Sequence, residues 1–396
     1  MQIAKKFLIE GKPELALEHL KKILHENNFE EWQIHELICE CFFEMSDAEG
    51  VMQANLNAAK ADKILRNQRR HFSNFLFTLH YLPIDSENFF ENAKIYQSLY
   101  RDVEKFPQQK NFNKKIHIGY IAVNFLDSSS ARFYESLLTD YDREKFFVSV
   151  WSLSSREDNF TKKIRNKVDE FFSFEEQNFY KIAEKIQLEK VDILFDLNGH
   201  SEGGETLQTM SYKPAKIQIS GIGYFDTTGT NFVDYFFADK FLVGESKFTE
   251  KIFEVESAFV FKPSEKMILE KKNLKKFAHE GIIFGCLNNF LKISDEYLIC
   301  VKKILELVPN SKIIFRDTTP IESRKNFLEK KILSARIKKF EVRVGEEDFF
   351  VRTFQSRRQI SRNFFSTLFT NSLLSGKFFS KMIPKSFFEN STAFFI

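Results

Sequence analysis

Two short apolar runs in the middle of the chain end in small and polar residues of the kinds that contact ligands. Residues 191–197 are followed by Asn198-Gly199-His200, and residues 217–222 by the glycine-rich segment 223–229. Apolar runs of this length between turn residues predict buried strands, and ligands of open α/β sheets bind at the carboxyl ends of strands. The candidate site residues at these two ends are Asp196, His200, Gly223, Tyr224, Thr227 and Thr228. Turn chemistry alone is the alternative, since Asn-Gly and Thr-Gly are common in loops.

A lysine follows a third predicted strand in the C-terminal half of the chain. Residues 281–287 predict the strand, residues 295–308 predict a helix with one apolar face, and Lys292 lies between them. Ser294 is placed to cap the helix. The unpaired N–H groups and the dipole at a helix start favour an anion such as a diphosphate, and an adjacent ammonium group would add to that preference. An ordinary solvated loop lysine is the alternative.

The elements that would position these residues alternate between strand and helix. Strands are predicted at 116–123 and 145–151, with interleaved helices at 132–138 and 179–188, ahead of the two apolar runs. This alternation predicts an α/β fold with a parallel, doubly wound sheet. A second α/β unit begins near residue 280.

The N-terminal part of the chain has the pattern of paired amphipathic helices. Pro13 opens a helix, and the segment 14–20 has a counterpart at 50–56, an offset of 36 residues. This offset is close to the tetratricopeptide unit of about 34 residues. A generic helical hairpin is the alternative, because the spacing is not strict. Residues 71–100 predict bridging helices, and the polar residues 102–115 predict a linker.

Length and composition disfavour several classes of protein. The 396 residues are enough for two or three domains, and 43% of them are hydrophobic, as in globular proteins. The 58 basic and 55 acidic residues give a net charge of +3, which disfavours nucleic acid as a partner. Four cysteines without a Cys-x-x-Cys pair predict neither a disulfide framework nor a zinc site, and the sequence contains no signal-peptide pattern and no membrane span. These features predict a soluble, cytoplasmic protein.

The character of the sequence changes after Gly345. From Arg352 onward the only acidic residue is Glu389, and four Phe pairs show neither helical nor alternating order. Such a segment does not have a pattern that predicts packing. We hypothesise that the residues beyond about 345 are a frameshifted or truncated replacement for the end of the second α/β unit. The downstream DNA, read in the other frames, is expected to encode the original end.

The assembled motifs resemble one family, the bacterial relatives of protein O-linked N-acetylglucosamine transferase in glycosyltransferase family 41. The resemblance runs from the helical repeats to about residue 340. Several blocks in the family's order are more specific than any single motif. The blocks are HFSNFLFTLHYLP at 71–83, KIHIGYIAVNF at 115–125, DILFDLNGH at 192–200, KPAKIQISGIGYFDTTG at 213–229 followed by VDYFFAD, and FGCLNNFLKISDEYL at 284–298.

The resemblance implies two Rossmann-like lobes of the GT-B type behind the repeats, here with an incomplete second lobe. It also implies inverting transfer of a sugar, most simply N-acetylglucosamine, from UDP to a Ser or Thr hydroxyl of a polypeptide, without a metal or a cofactor. Lys292 matches the family lysine that neutralises the leaving diphosphate, and Asn289 matches an amide that contacts the nucleotide. The loops around His200 and at 223–229 match those on the acceptor and sugar side. His200 and Lys292 are therefore the catalytic candidates.

Several positions depart from the family pattern. Where many relatives read Asp-Phe-Arg-x-His after the first strand, this chain has residues 124–128, and Ser128 replaces the histidine. A general base is therefore absent at that point. The usual Pro-Gly before Thr-Thr-Gly is Phe225-Asp226, which we interpret as a conservative loop change. Nothing from residue 344 onward matches the family's threonine-rich donor loop. These departures leave open a second class, a non-catalytic adaptor whose repeats bind polypeptides.

The predicted domain organisation follows the order of these segments. The predicted domains are a helical repeat region with bridging helices at 1–100, a linker at 101–115, an N-terminal Rossmann-like lobe at 116–260, a partial donor-binding lobe at 261–345 and a Phe-rich tail at 346–396.

Overall fold

The chain divides into two compact units. The computed structural model describes residues 1–24, 29–108, 114–264, 268, 281–317, 322–344 and 393–395. One unit contains Met1–Ala61, Thr78–Pro83 and the described part of Glu265–Ile396, and the other contains Asp62–Phe77 and Ile84–Ser264. The helical repeats thus belong to the same unit as the second α/β segment. The domain boundaries predicted from sequence order stay a prediction.

The N-terminal region consists of two helix pairs, as its periodicity predicts. Its helices are Gln2–Ile9, Pro13–Ile23, Glu31–Glu44 and Ala48–Ala61. Three buried positions of the second helix recur in the fourth at an offset of 35 residues, one fewer than the offset read from the sequence. These positions are Ala16, Leu20 and Ile23 in the second helix and Val51, Asn55 and Ala58 in the fourth. The region fits tetratricopeptide-like repeats.

The other unit is built on a parallel sheet of seven strands in the described residues. The strands are β1 Ile116–Ala122, β2 Phe146–Ser152, β3 Glu170–Ser173, β4 Ile193–Asp196, β5 Ile217–Gly221, β6 Tyr235–Ala238 and β7 Lys251–Glu254. Their order is β3-β2-β1-β4-β5-β6-β7, and every neighbouring pair is parallel. The prediction of a doubly wound α/β sheet is confirmed.

Helices alternate with these strands and bury the faces of the sheet. They are Ala131–Thr139, Asn159–Arg165, Phe179–Leu188, Glu205–Met210 and Lys240–Val243, and two further helices, Leu65–Leu79 and Ser86–Gln97, precede β1. Val148, Val150 and Phe195 on the strands pack in one apolar core with Tyr134 and Leu138 of the first helix after β1. A parallel sheet needs such cover because its strands are apolar on both faces.

The second α/β segment forms a separate, smaller parallel sheet. Its strands are β8 Ile282–Cys286, β9 Ser311–Asp317, β10 Phe340–Val344 and β11 Ala393–Phe395, in the order β10-β9-β8-β11. Helices Asp295–Leu307 and Glu322–Ser334 connect them. Phe284, Leu298, Val301, Ile313 and Leu328 form its core. The predicted second α/β unit is confirmed.

The prediction for residues 346–396 lies outside the described residues, apart from 393–395. The backbone of those three residues pairs in parallel with β8. A strand was not expected there from the sequence pattern. Within the described ranges, no helix has both the length and the apolar character that a membrane crossing requires.

Candidate active site

The carboxyl ends of β1 and β4 lie side by side where the strand order of the larger sheet reverses. The strands β2 and β3 extend the sheet on one side of β1, and β4 to β7 extend it on the other. In sheets of this kind the loops diverge at that point, and ligands bind in the crevice between them. The Val123 N–H donates a 2.8 Å hydrogen bond to Asn198 Oδ1, which ties the loop after β1 to the loop after β4.

Asp196, the last residue of β4, holds these loops in place. It is fully buried. Its Oδ1 accepts a hydrogen bond from the Asn198 N–H (2.9 Å), and its Oδ2 accepts from the Gly199 N–H (2.9 Å) and the Ser220 hydroxyl (2.7 Å). Burial raises the pKa of Asp196, and these donors act in the opposite direction. The carboxyl group therefore fixes the turn after β4 to the end of β5.

His200 is fully buried, and both of its ring nitrogens are engaged. Nε2 lies 3.1 Å from the Thr228 carbonyl oxygen, which can only accept, so Nε2 carries the hydrogen. Nδ1 lies 2.8 Å from the Ser73 hydroxyl, which then donates to it. Burial lowers the pKa of His200 to about 3, so the ring is neutral at physiological pH. His200 could accept a proton from a substrate only by displacing Ser73, and its catalytic role stays a prediction.

Gly223 and Tyr224 begin the loop after β5 and are tightly packed. A Cβ atom at Gly223 would lie 1.7 Å from the Leu197 carbonyl oxygen, so the two loop backbones can approach only because this residue is glycine. Tyr224 is fully buried, and its ring centre lies 5.2 Å from that of His200 in an edge-on contact. Burial raises the pKa of Tyr224 well above its usual value. Both residues therefore stabilise the conformation of this loop through their packing.

Thr227 and Thr228 surround a buried carboxylate, Glu250, that is 6% exposed. Glu250 accepts hydrogen bonds from the Thr227 hydroxyl at 2.7 Å and from the Thr228 N–H at 2.8 Å. The Thr228 hydroxyl also donates to it, and the Thr249 hydroxyl does so at 3.1 Å. These four donors use the lone pairs of the carboxylate. The two threonine hydroxyls of the predicted site are thus directed at the protein itself.

Asp226 lies in the same loop but has different surroundings. It is 8% exposed. In the described part of the chain, its carboxyl group accepts one hydrogen bond, from the Thr227 N–H at 2.7 Å. Burial raises the pKa of Asp226 to about 7; the Glu250 charge adds to the increase, and the Thr227 N–H acts against it. The Asp226 carboxyl group thus changes protonation state near neutral pH. The interpretation of Phe225-Asp226 as a conservative loop change did not predict this property of the loop.

Ser128 is exposed on the loop after β1. Its Oγ accepts a 3.2 Å hydrogen bond from the Ala131 N–H at the start of helix Ala131–Thr139. The neighbouring Asp127 forms an ion pair with the guanidinium group of Arg132. At the position of the family histidine, this chain therefore has a hydroxyl group that is hydrogen-bonded to the start of a helix and lies next to an ion pair.

Lys292 ends the short 3-10 turn Phe290–Lys292 that follows β8. The carboxyl end of β8 lies where the smaller sheet reverses its order, between β9 and β11. Lys292 is half-buried, and its Nζ lies 5.7 Å from the centre of the Tyr81 ring. Burial lowers the pKa of Lys292, and no carboxylate of the described residues acts against this decrease. The ammonium group is therefore a partly desolvated cation that an anionic ligand would stabilise.

At the start of the following helix, the protein's own side chains already cap the free N–H groups and compensate the helix dipole. Asn289 Oδ1 caps the 3-10 turn by accepting from the Leu291 N–H at 3.0 Å. Ser294 caps helix Asp295–Leu307 as predicted, with its Oγ 3.1 Å from the Tyr297 N–H. Asp295 and Glu296 occupy the first turn. Their negative charges already interact favourably with the helix dipole and would repel a further anion. Lys292 is therefore the stronger candidate for binding an anion in this segment, and its role stays a prediction.

The structure gathers most of the predicted residues of the larger sheet into one group, joined by hydrogen bonds and by packing contacts. The residues are Asp196, His200, Gly223, Tyr224, Thr227 and Thr228. Ser128 lies on the neighbouring loop, and Asn289 and Lys292 belong to the other unit. Sequence reasoning missed Ser73 and Glu250. Ser73 lies in the 71–83 block, which was the available signal, whereas no spacing pointed to Glu250.

The fold and the position of these residues define a class of protein. Two parallel Rossmann-like sheets, each with polar side chains at its reversal point, form a GT-B-type glycosyltransferase fold. Residues 93–275 match the family model of glycosyl transferase family 41. This segment is thus similar to that family, as the sequence motifs indicated.

Similar proteins agree with this assignment. A solved structure of a mutant O-GlcNAc transferase from Thermobaculum terrenum shares the fold, with a TM-score of 0.72 and 19% identity over 88% of this chain and 68% of that one. The probable UDP-N-acetylglucosamine–peptide N-acetylglucosaminyltransferase SPINDLY of Arabidopsis thaliana is 30% identical over 52% of this chain. The corresponding Caenorhabditis elegans enzyme is 29% identical over 35% of this chain. The matched segment spans 23% of the Arabidopsis protein and 12% of the Caenorhabditis one.

Proposed function

We propose that this protein is an inverting glycosyltransferase that transfers N-acetylglucosamine from UDP to a Ser or Thr hydroxyl of a polypeptide. The related proteins are named for the use of UDP-N-acetylglucosamine and a peptide acceptor. The observation that carries the proposal is the ammonium group of Lys292. It is a half-buried cation at the reversal point of the smaller sheet, without a carboxylate partner among the described residues.

The reaction explains why such a cation is needed. As the bond between the anomeric carbon and the diphosphate breaks, negative charge develops on the leaving oxygen. A fixed cation in a partly desolvated site stabilises this charge more strongly than water does. Lys292 therefore binds the diphosphate and assists its departure. Asn289, one turn earlier in the same segment, is placed to contact the nucleotide.

Calorimetric titration of the purified full chain with UDP tests the proposal. Lys292→Ala is expected to weaken UDP binding by about 10- to 100-fold, since a hydrogen bond to a charged group contributes on the order of 1.5–3 kcal/mol. Lys303→Ala is the matched control, because Lys303 is an exposed lysine on the adjacent helix Asp295–Leu307. Equal effects of the two substitutions, or the absence of UDP binding by the wild-type chain, would contradict the proposal.

A non-catalytic adaptor is the second candidate function. Ser128 in place of the family histidine favours it, as does His200 with both nitrogens engaged. An adaptor would bind polypeptides through its helix pairs and would not release UDP from UDP-N-acetylglucosamine. If the chain binds UDP, a measurement of UDP release from UDP-N-acetylglucosamine separates the two functions, because only the transferase releases it.

Metal independence and a cytoplasmic location are parts of the same proposal. Lys292 supplies the positive charge that a metal ion provides in other nucleotide-sugar enzymes, so chelation with EDTA is expected to leave UDP affinity unchanged. Cys39, Cys41, Cys286 and Cys300 are all free thiols, which supports a reducing compartment. Fractionation of cells that express the chain tests the location.

A further inference from the structure

Three aspartates, Asp127, Asp196 and Asp226, lie at the carboxyl ends of β1, β4 and β5, and their carboxyl groups differ in how their oxygens are used. Asp127 forms an ion pair with Arg132. Asp196 accepts three hydrogen bonds from its own and the neighbouring strand end. Asp226 accepts one, from the Thr227 N–H, among the residues that the structure describes. Of the three, Asp226 is the one whose carboxyl group has neither a cationic partner nor a second hydrogen bond among the described residues.

We propose that Asp226 is the general base that accepts the proton of the attacking hydroxyl group. The inference rests on the proposed function and gives the loop after β5 the role that Ser128 cannot fill. The acceptor O–H bond breaks, and its proton passes to the Asp226 carboxylate. The acceptor oxygen forms a bond to the anomeric carbon. The bond between that carbon and the diphosphate oxygen breaks, and its electron pair leaves with UDP.

The surroundings of Asp226 suit this task. A general base works best when its proton affinity matches the pH of the medium, and an ordinary exposed aspartate is too weakly basic. Burial and the charge of Glu250 raise the pKa of Asp226 to about 7. The other titratable group beside it, Tyr224, stays neutral because its pKa lies well above the usual value. Glu250 is thus the one negative charge identified near Asp226 in the described residues.

The other candidate bases of this region are committed to the fold. Glu250 accepts four hydrogen bonds, and His200 uses both nitrogens. Proton transfer to Glu250 would require breaking contacts that hold the loop after β5, and proton transfer to His200 would require displacing Ser73. Asp226 can change its protonation state while keeping the single bond from Thr227.

The test measures UDP release from UDP-N-acetylglucosamine by the full chain, with water and then a mixture of Ser- and Thr-containing peptides as acceptors. Asp226→Asn is expected to lower kcat by about 100-fold or more, the usual contribution of a general base. The affinity for UDP should not change, because Asp226 acts on the acceptor. The kcat/KM of the wild-type chain should rise with pH to a plateau, with an apparent pKa near that of Asp226, and the rise should be absent in Asp226→Asn.

Asp127→Asn is the matched control, since Asp127 lies on the neighbouring loop with its carboxylate on Arg132. It is expected to leave kcat and its pH profile close to wild type. Near-wild-type turnover by Asp226→Asn overturns the inference, as does a loss confined to Asp127→Asn. Absence of UDP release by a wild-type chain that binds UDP also overturns it. Failure of UDP binding refutes the proposed function instead, so the two failures are distinguishable.

Discussion

At the scale of single residues, Asp226 gives the stability of the protein an unusual pH dependence. Its pKa is about 7 in the folded chain, against 3.8 for an ordinary solvated aspartate, so the folded chain holds the proton more tightly than the unfolded chain does. Between these two values the folded state binds more protons than the unfolded state. The free energy of unfolding therefore falls as the pH rises through this window, by on the order of 4 kcal/mol for this group. The loss is complete above the folded pKa.

Asp226→Asn is accordingly expected to stabilise the fold at pH 8 by up to about 4 kcal/mol and to have little effect at pH 4. The asparagine keeps an acceptor for the Thr227 N–H but carries no charge to bury. Urea unfolding of the wild type and the variant at both pH values measures this difference.

Asp142→Asn is the control of opposite sign. Asp142 is exposed, and its pKa is lowered first by a hydrogen bond from Lys145. Its substitution should therefore decrease stability at pH 8. An Asp226→Asn variant that is less stable than the wild type at pH 8 would show that the carboxylate is stabilised by its surroundings, contrary to the structure.

The sequence predicted the residue types of the site better than their roles. Asp196 and His200 were found because they follow an apolar run, but spacing cannot show that Ser73 and Ser220 engage them. Asp196 and Asp226 are both buried, and the number of hydrogen-bond donors separates the aspartate that holds a loop from the one that titrates near neutral pH. Asp226 was passed over because burial and the position of Glu250 depend on contacts between residues far apart in the sequence.

At the scale of elements, the site depends on the close approach of the turn after β4 to the start of the loop after β5. A methyl group at Gly223 would overlap the Leu197 carbonyl oxygen, a backbone atom that cannot rotate away. Gly223→Ala is therefore expected to cost about 3 kcal/mol or more of stability, as severe overpacking does. Thermal unfolding and near-UV circular dichroism check this expectation.

Gly11→Ala is the comparison for that substitution. Gly11 has φ +68° and open space around it, so its substitution introduces backbone strain without a clash. A cost of about 1 kcal/mol is expected. If the two substitutions cost the same, the contact between the loops is looser than the structure shows.

Element existence was predicted well where a run was long and fully apolar. The predictions at 116–123 and 179–188 correspond to β1 Ile116–Ala122 and helix Phe179–Leu188. The strand β3 was not predicted because an edge strand of four residues, none of them fully buried, has no distinct period. Helix Asn159–Arg165 was also missed, although Asp158 and Thr161 form a capping box that marks its start.

At the scale of the molecule, the chain order of the segments does not match their packing. The helix pairs at the N-terminus belong to the unit that contains β8 to β10, although more than 200 residues separate them. Arg324, which is 3% exposed, joins the two parts. Its guanidinium group lies 3.4 Å from Glu44 Oε1, 3.5 Å from Asp317 Oδ2 and 4.4 Å from the centre of the Phe43 ring. No local pattern in the sequence could have indicated this contact.

Arg324→Ala should therefore destabilise the helix pairs and the smaller sheet together. The substitution removes the cation between two partly or fully buried carboxylates, and loss of one partner of a buried pair costs about 3–5 kcal/mol. Native-state hydrogen exchange is expected to show faster exchange both in helix Glu31–Glu44 and in β9. Lys22→Ala, which breaks the exposed pair with Glu18, is the control and should change stability by less than about 0.5 kcal/mol. Faster exchange in β9 alone would mean that the repeats fold independently of the sheet that carries Lys292, and that the Arg324 contact does not couple them.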